Sequence, residues 1–205
     1  MSQSPHPKFP FPQKTQFTRT LEENNRKDMI ISEWIFKPGM LFKSMDKWWG
    51  DRKQRTIPHE GLDLCLYKDP QGTIHSLDSQ TRIPALFNGR VVKIMKDFLG
   101  LTMVMEHDPV DESAPGFLTI FGHANPAKDM HVGRRVKKGE MICSLSWPDK
   151  PKSQGLLPHL HITAGTFSSE IPYDKLTWKV IPATPSLTLI DPLPLLDWPF
   201  EILKS

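Results

Sequence analysis

The chain has only two cysteines in 205 residues. That excludes a disulfide framework and a structural zinc closed by four thiolates. Cys65 and Cys143 lie in strand-like runs, Leu62–Tyr67 and Glu140–Leu145, and read as two buried thiols. Charge of one sign is also scarce. The net charge is +3 and the isoelectric point is near 8.8, with no basic stripe or recognition motif, so nothing points to nucleic acid as a partner. There is no long apolar run. The apolar C-terminal stretch is interrupted by Pro182, Pro185, Pro192, Pro194 and Pro199, which excludes a membrane helix there. The opening residues, Met-Ser-Gln-Ser-Pro-His-Pro-Lys-Phe-Pro, show no apolar signal core and no cleavage-site pattern, so they leave the location open.

Proline is abundant: 20 residues, about twice the usual share. Most lie towards the ends, and between them the pattern is one of short alternating segments. Leu62, Leu64 and Leu66 point one way; Asp63, Cys65 and Tyr67 point the other. Asp69-Pro70-Gln71-Gly72 is a turn before Thr73–Leu77. Val91–Met95, Leu101–Glu106, Phe117–Phe121 and Leu157–Thr163 read as further strands, and Gly133 and Gly139 as turns around a short extended piece. The expected fold is therefore all-β, a sandwich or small barrel of short, mostly antiparallel strands. An N-terminal arm and extension is expected over residues 1–50. It opens on the extended Phe9-Pro10-Phe11-Pro12, carries short strands at Met29–Ile31 and Trp34–Phe36, and includes a short helix after Pro38-Gly39. That helix is suggested by Leu41, Met45, Trp48 and Trp49 at helical spacing, a packing face more than a ligand box. The β domain is expected over 51–197, with an insertion at 166–187, followed by a tail over 198–205.

The residues with chemistry fall in three places. His159 and His161, at i and i+2 on a strand, share a face about 6–7 Å apart. His59 and Asp63 are separated by Gly61, where a bend would bring imidazole and carboxylate together. His123 follows an aromatic strand. Taken singly, each group reads equally well as satisfied surface or turn histidines. Taken together, four histidines and one aspartate suffice for a zinc site with an open position and two further imidazoles beside it. His59-Glu60-Gly61-Leu62-Asp63 also parallels a zincin helix with Glu60 as base, although Gly61 and the following alternation oppose a helix. His6, His75, His107 and His131 carry no expected role.

In combination these motifs resemble the lysostaphin/LytM-type zinc metalloendopeptidases, whose fold is the duplicated hybrid motif, a barrel-sandwich hybrid. The resemblance rests on His59…Asp63, Phe121-Gly122-His123 and His159-Leu160-His161, in that order. The connecting segments Asn88-Gly89-Arg90-Val91, Gly133–Ile142 and Asp191-Pro192-Leu193 are also similar to the family's. It covers roughly residues 55–165 and the closing strand. It implies that His59, Asp63 and His161 bind one Zn2+ per chain and that His123 and His159 form the catalytic pair. The implied substrate is a peptide stem or cross-bridge of peptidoglycan, which places the action in the periplasm or cell envelope. Trp147-Pro148-Asp149-Lys150-Pro151 departs from the family's glycine- and serine-rich approach to His-x-His. A non-catalytic scaffold that regulates cell-wall hydrolases is the alternative reading. A sugar-transport phosphocarrier of the same β-architecture is a third, though it needs neither Asp63 nor His-x-His.

Overall fold

The structure, a computed structural model, describes residues 15–50, 53–109, 114–147, 155–167 and 172–204. The polyproline arm and most of the Trp147–Pro151 segment fall outside the described residues. In chain order the elements are α1 (Phe17–Asn24), β1 (Glu33–Phe36), β2 (Leu62–Leu64), β3 (Leu66–Lys68), β4 (Ile74–Ser76), β5 (Arg82–Pro84), β6 (Gly89–Lys96), β7 (Leu101–His107), β8 (Gly116–Pro126), β9 (Arg135–Val136), β10 (Met141–Leu145), β11 (Leu160–Phe167), β12 (Thr188–Ile190) and β13 (Phe200–Ile202), with short 3-10 turns at Pro38–Met40, Tyr173–Lys175 and Leu193–Leu196. The fold is all-β with one short helix. Among the described residues no helix is long and apolar enough to cross a membrane.

The larger sheet has nine strands, in the order β12-β11-β8-β7-β6-β9. β10 joins β5 to β8, and β2 joins β11. The smaller sheet runs β13-β1-β3-β4. Its β1–β13 pair is parallel, whereas β1–β3 and β3–β4 are antiparallel. Leu62 and Leu64 are fully buried, as the alternation of the sequence requires, and one apolar core runs from Phe17 and Trp34 through Leu62 and Phe121 to Leu196. Residues on both sides of positions 50 and 197 contribute to these sheets and this core. Cys65 and Cys143 are buried and free. Burial pushes both thiols up, Cys143 to about 12, so neither is a thiolate at neutral pH.

Three expectations differ from what is observed. The helix lies at Phe17–Asn24, not over 41–49. Eight residues are too few to be stable alone; buried Phe17, Thr18 and Leu21 hold it to the core, and the Trp34 indole donates to Thr18 Oγ1 at 2.8 Å. Residues 41–45 instead spend their backbone groups on the segment leading to His59. Lys43 N donates to His59 O (2.8 Å) and His59 N to Ser44 O (3.0 Å), and Lys43 takes a left-handed φ of 62°. Those bonds compete with a helical ladder and win. Met29–Ile31 is not a strand. Finally, residues 166–167 continue β11, and the segment after them packs through Leu176, Ile181 and Leu187 on Val104, Leu118 and Ile120, covering the second face of the large sheet.

Candidate metal centre

Strand pairing assembles the site. β2 lies antiparallel to β11 with Asp63 opposite His161, and β8 flanks β11 on its other side with Gly122 opposite His161. The chain bends at Gly61, which excludes the zincin-type helix and folds His59 back towards Asp63. Only glycine fits the bend: a Cβ there would strike the Ile162 carbonyl oxygen, and would lie 2.6 Å from His161 Nε2 and 2.8 Å from Thr163 Oγ1.

His59, Asp63 and His161 offer ligand atoms that all lie within 4.8 Å of one another, and all three residues are buried. His161 Nδ1 is 2.8 Å from Asp63 Oδ1 and 3.2 Å from His59 Nε2, which is itself 3.3 Å from Asp63 Oδ1. The other ring nitrogens fix what these atoms carry. A carbonyl oxygen only accepts, so His59 donates Nδ1–H to Leu41 O (3.1 Å), leaving an electron pair at Nε2. His161 Nε2 faces Thr163 Oγ1 at 2.9 Å; when it donates there, its Nδ1 carries the second pair. Two imidazole electron pairs and a carboxylate oxygen thus converge on one point. Such a donor set fits a divalent cation, and zinc in particular accepts this His–Asp–His chemistry.

The second carboxylate oxygen is secured independently. Trp48 donates its indole N–H to Asp63 Oδ2 at 2.7 Å, and Arg55 Nη2 lies 3.8 Å from the same atom. Burial alone would push the Asp63 carboxyl up. The imidazoles of His59, His159 and His161 outweigh that and hold it well below the usual carboxylate range. Burial pushes His161 down, against the pull of Asp63. The same cause brings His159 down to about 4, so that ring is neutral at pH 7.

His159 immediately precedes β11. Its Nδ1–H is tied to Leu157 O at 2.8 Å, which leaves Nε2 as an acceptor 3.9 Å from Asp63 Oδ1. The His123 ring stands 4.7 Å from the His159 ring, centroid to centroid. β8 does not end before His123 but runs through it, and simple alternation fails there. The β7–β8 register shifts between Met103↔Phe121 and Leu101↔Ala124, and His123 takes a left-handed φ of 58°. That conformation costs a non-glycine residue about 1–2 kcal/mol. Two bonds offset it: His123 N donates to Asp97 Oδ2 at 2.8 Å, and His123 O accepts from Ser146 N at 2.8 Å.

The five residues line an open cavity of about 320 Å³ whose aromatic walls are Trp49, Phe98 and Trp178. His75 and His131 are exposed, and His107 is buried elsewhere, bonded to Thr119 Oγ1 at 2.7 Å. The sequence reading missed Trp48, Arg55, Asp97 and Trp178. For Trp178 the available signal was an aromatic in the segment after the His-x-His strand. Asp97 sits in an Asp-x-x-Gly turn and looks like turn chemistry alone.

No protein-family model matches the chain, and no curated protein matches it in sequence. Several solved structures are similar to parts of it. A solution structure of lysostaphin has 17% identity and a TM-score of 0.43, covering 69% of this chain and 44% of that one. The antimicrobial peptidase lysostaphin from Staphylococcus simulans has 18% identity and a TM-score of 0.39, covering 68% and 44%. A lytM protein from Ruminococcus gnavus, named as a candidate glycyl-glycine endopeptidase, has 15% identity and a TM-score of 0.41, covering 71% and 51%. The chain spans about half the length of these proteins or less (44–51%).

Proposed function

We propose that this protein is a zinc-dependent metalloendopeptidase that hydrolyses peptide bonds in the stems or cross-bridges of peptidoglycan, and that it acts in the cell envelope. The observation that carries this reading is the convergence of His59, Asp63 and His161 on one point, with two more imidazoles at the same open cavity. His59 Nε2, His161 Nδ1 and Asp63 Oδ1 would hold the ion. Zinc supplies Lewis-acid chemistry when bound: it polarises a carbonyl and makes water acidic enough to attack near neutral pH.

The remaining work falls to two side chains. Amide hydrolysis needs one group to accept a proton from the attacking water and one to deliver a proton to the departing amine. His159 offers an acceptor at Nε2, because its Nδ1–H is committed to Leu157 O. His123, with its ring centroid 4.7 Å away, is the second group. Trp49, Phe98 and Trp178 give the open cavity apolar sides around these two imidazoles.

The test is incubation of purified protein with peptidoglycan sacculi, with and without chelator, followed by mass analysis of the released fragments. Chelator-sensitive release of new amino and carboxyl termini is expected. His159→Ala is expected to keep about one zinc per chain and lose hydrolysis, whereas His161→Ala loses zinc. Equal hydrolysis by wild type and His159→Ala would overturn the catalytic assignment. A chain that binds zinc yet releases no fragments would favour the regulatory scaffold.

A further inference from the structure

Asp97 lies in the turn between β6 and β7 and has a side chain only 1% exposed. Its Oδ1 accepts the backbone N–H groups of Leu99 (2.8 Å) and Gly100 (2.7 Å). Those bonds account for a turn residue. They do not account for Oδ2, which faces away from the turn. Oδ2 accepts the backbone N–H of His123 at 2.8 Å and the Thr102 hydroxyl at 2.8 Å, and His123 Nδ1 lies 3.3 Å from it.

The direction of these bonds is fixed by chemistry. The Trp178 indole N–H can only donate, and it does so to Thr102 Oγ1 at 3.0 Å. A carboxylate can only accept. The Thr102 hydroxyl must therefore receive from Trp178 and give to Asp97. Four donors fill Asp97, so its carboxylate is held in one orientation from both sides. His123 Nδ1 is buried and has no aligned hydrogen-bond partner; that fixed oxygen lies 3.3 Å from it. An electron pair on Nδ1 would repel a carboxylate oxygen 3.3 Å away, while an N–H would be attracted. The ring is also clamped edge-on by Phe98 and His159, each with centroids 4.7 Å away.

We propose that Asp97 is the positioning residue of His123: it holds the left-handed backbone and the Nδ1–H tautomer of that ring, and is itself held by a relay from the Trp178 indole through the Thr102 hydroxyl. With Nδ1 protonated, Nε2 is the nitrogen left with an electron pair for substrate or water. The inference rests on the hydrolytic reading only in giving His123 a reaction to serve; the tautomer and the relay stand on geometry.

The test separates the two. Long-range proton–nitrogen spectra of the zinc-free full-length chain report the His123 tautomer directly. Nδ1–H is expected in wild type. Asp97→Asn should move the population towards Nε2–H. In the zinc-loaded protein it should lower kcat about 10–100-fold with zinc content unchanged. Because the Asp97→Asn substitution also disturbs the turn, Thr102→Val is the companion variant: it keeps both turn bonds and removes only the middle of the relay. A partial tautomer shift and a several-fold loss in kcat are expected, with the far-ultraviolet circular dichroism of wild type. An Nε2–H tautomer in wild type would overturn the proposal, as would an unchanged His123 spectrum in folded Asp97→Asn or Thr102→Val. If the tautomer responds as expected but wild type releases nothing from sacculi, the positioning role stands and the peptidase reading fails.

Discussion

Zinc should stabilise this chain through His59, Asp63 and His161, the one such cluster among the described residues. The cluster gathers His59 Nε2, His161 Nδ1 and Asp63 Oδ1 at separations of 2.8, 3.2 and 3.3 Å, close enough to share one divalent ion. An ion that binds the folded chain and not the unfolded one adds about 2.7 kcal/mol at a hundred times its dissociation constant. For a domain of this size each kcal/mol moves Tm by about 2–4 °C. Saturating zinc should therefore raise Tm by about 5–11 °C, and excess chelator should reverse it. In scanning calorimetry of metal-stripped protein, His123→Ala should keep that gain, because its ring is not one of the three donors. His161→Ala and Asp63→Ala should lose it. A gain in His161→Ala equal to that of wild type would refute the donor assignment, and so would the absence of any gain in wild type.

Three further outcomes follow from other parts of the structure. Trp48→Phe removes the indole donor from a buried carboxylate oxygen held at 2.7 Å; urea unfolding should show a loss of about 1–3 kcal/mol, and zinc affinity should fall about 10–100-fold. Gly61→Ala should weaken zinc binding by displacing the β11 backbone at Ile162 or the His161 ring, since an added Cβ overlaps both; isothermal titration with zinc would reveal it, and wild-type affinity would contradict it. Burial pushes His107 from its ordinary 6.5 down to about 4. The unfolded chain then takes up the proton first as pH falls, so this contribution to stability is intact above pH 6.5, declines between 6.5 and about 4, and is flat below that. The gap, 6.5 minus 4, at about 1.4 kcal/mol per pH unit gives at most about 3.5 kcal/mol. Metal-free His107→Gln should show a correspondingly shallower loss of urea stability between pH 7.5 and 4.5 than metal-free wild type.

The histidines and Asp63 stood out in the sequence because few residue types bind metal and because the spacings are short. The alternation of Leu62, Leu64 and Leu66 likewise betrayed the strand that carries Asp63. What escaped notice has a common cause: a partner distant in the chain. Trp48 looked like part of a helical stripe because its real partner, Asp63, lies 15 positions on. Asp97 satisfies a local turn with one oxygen, and that hides the use of the other, 26 positions away at His123. Helix α1 is short and largely polar, with only Phe17, Thr18 and Leu21 buried, and its anchor at Leu196 lies 178 positions from Thr18. No local pattern encodes such contacts.

The parallel pairing of β1 with β13 has a practical consequence. β1 is an inner strand of the small sheet, taking Trp34 N–H to Pro199 O at 2.9 Å on one side and β3 on the other. Lys68 on β3 ties Glu33 on β1 to Glu201 on β13. A deletion through residue 50 intended to bare the groove would strand β13, expose one edge of β3 and remove the Trp48 indole from Asp63. Thr15 donates its hydroxyl to Leu195 O, and Phe17 and Leu21 sit in the core, so shortened versions that begin after Thr15 lose part of the packed body.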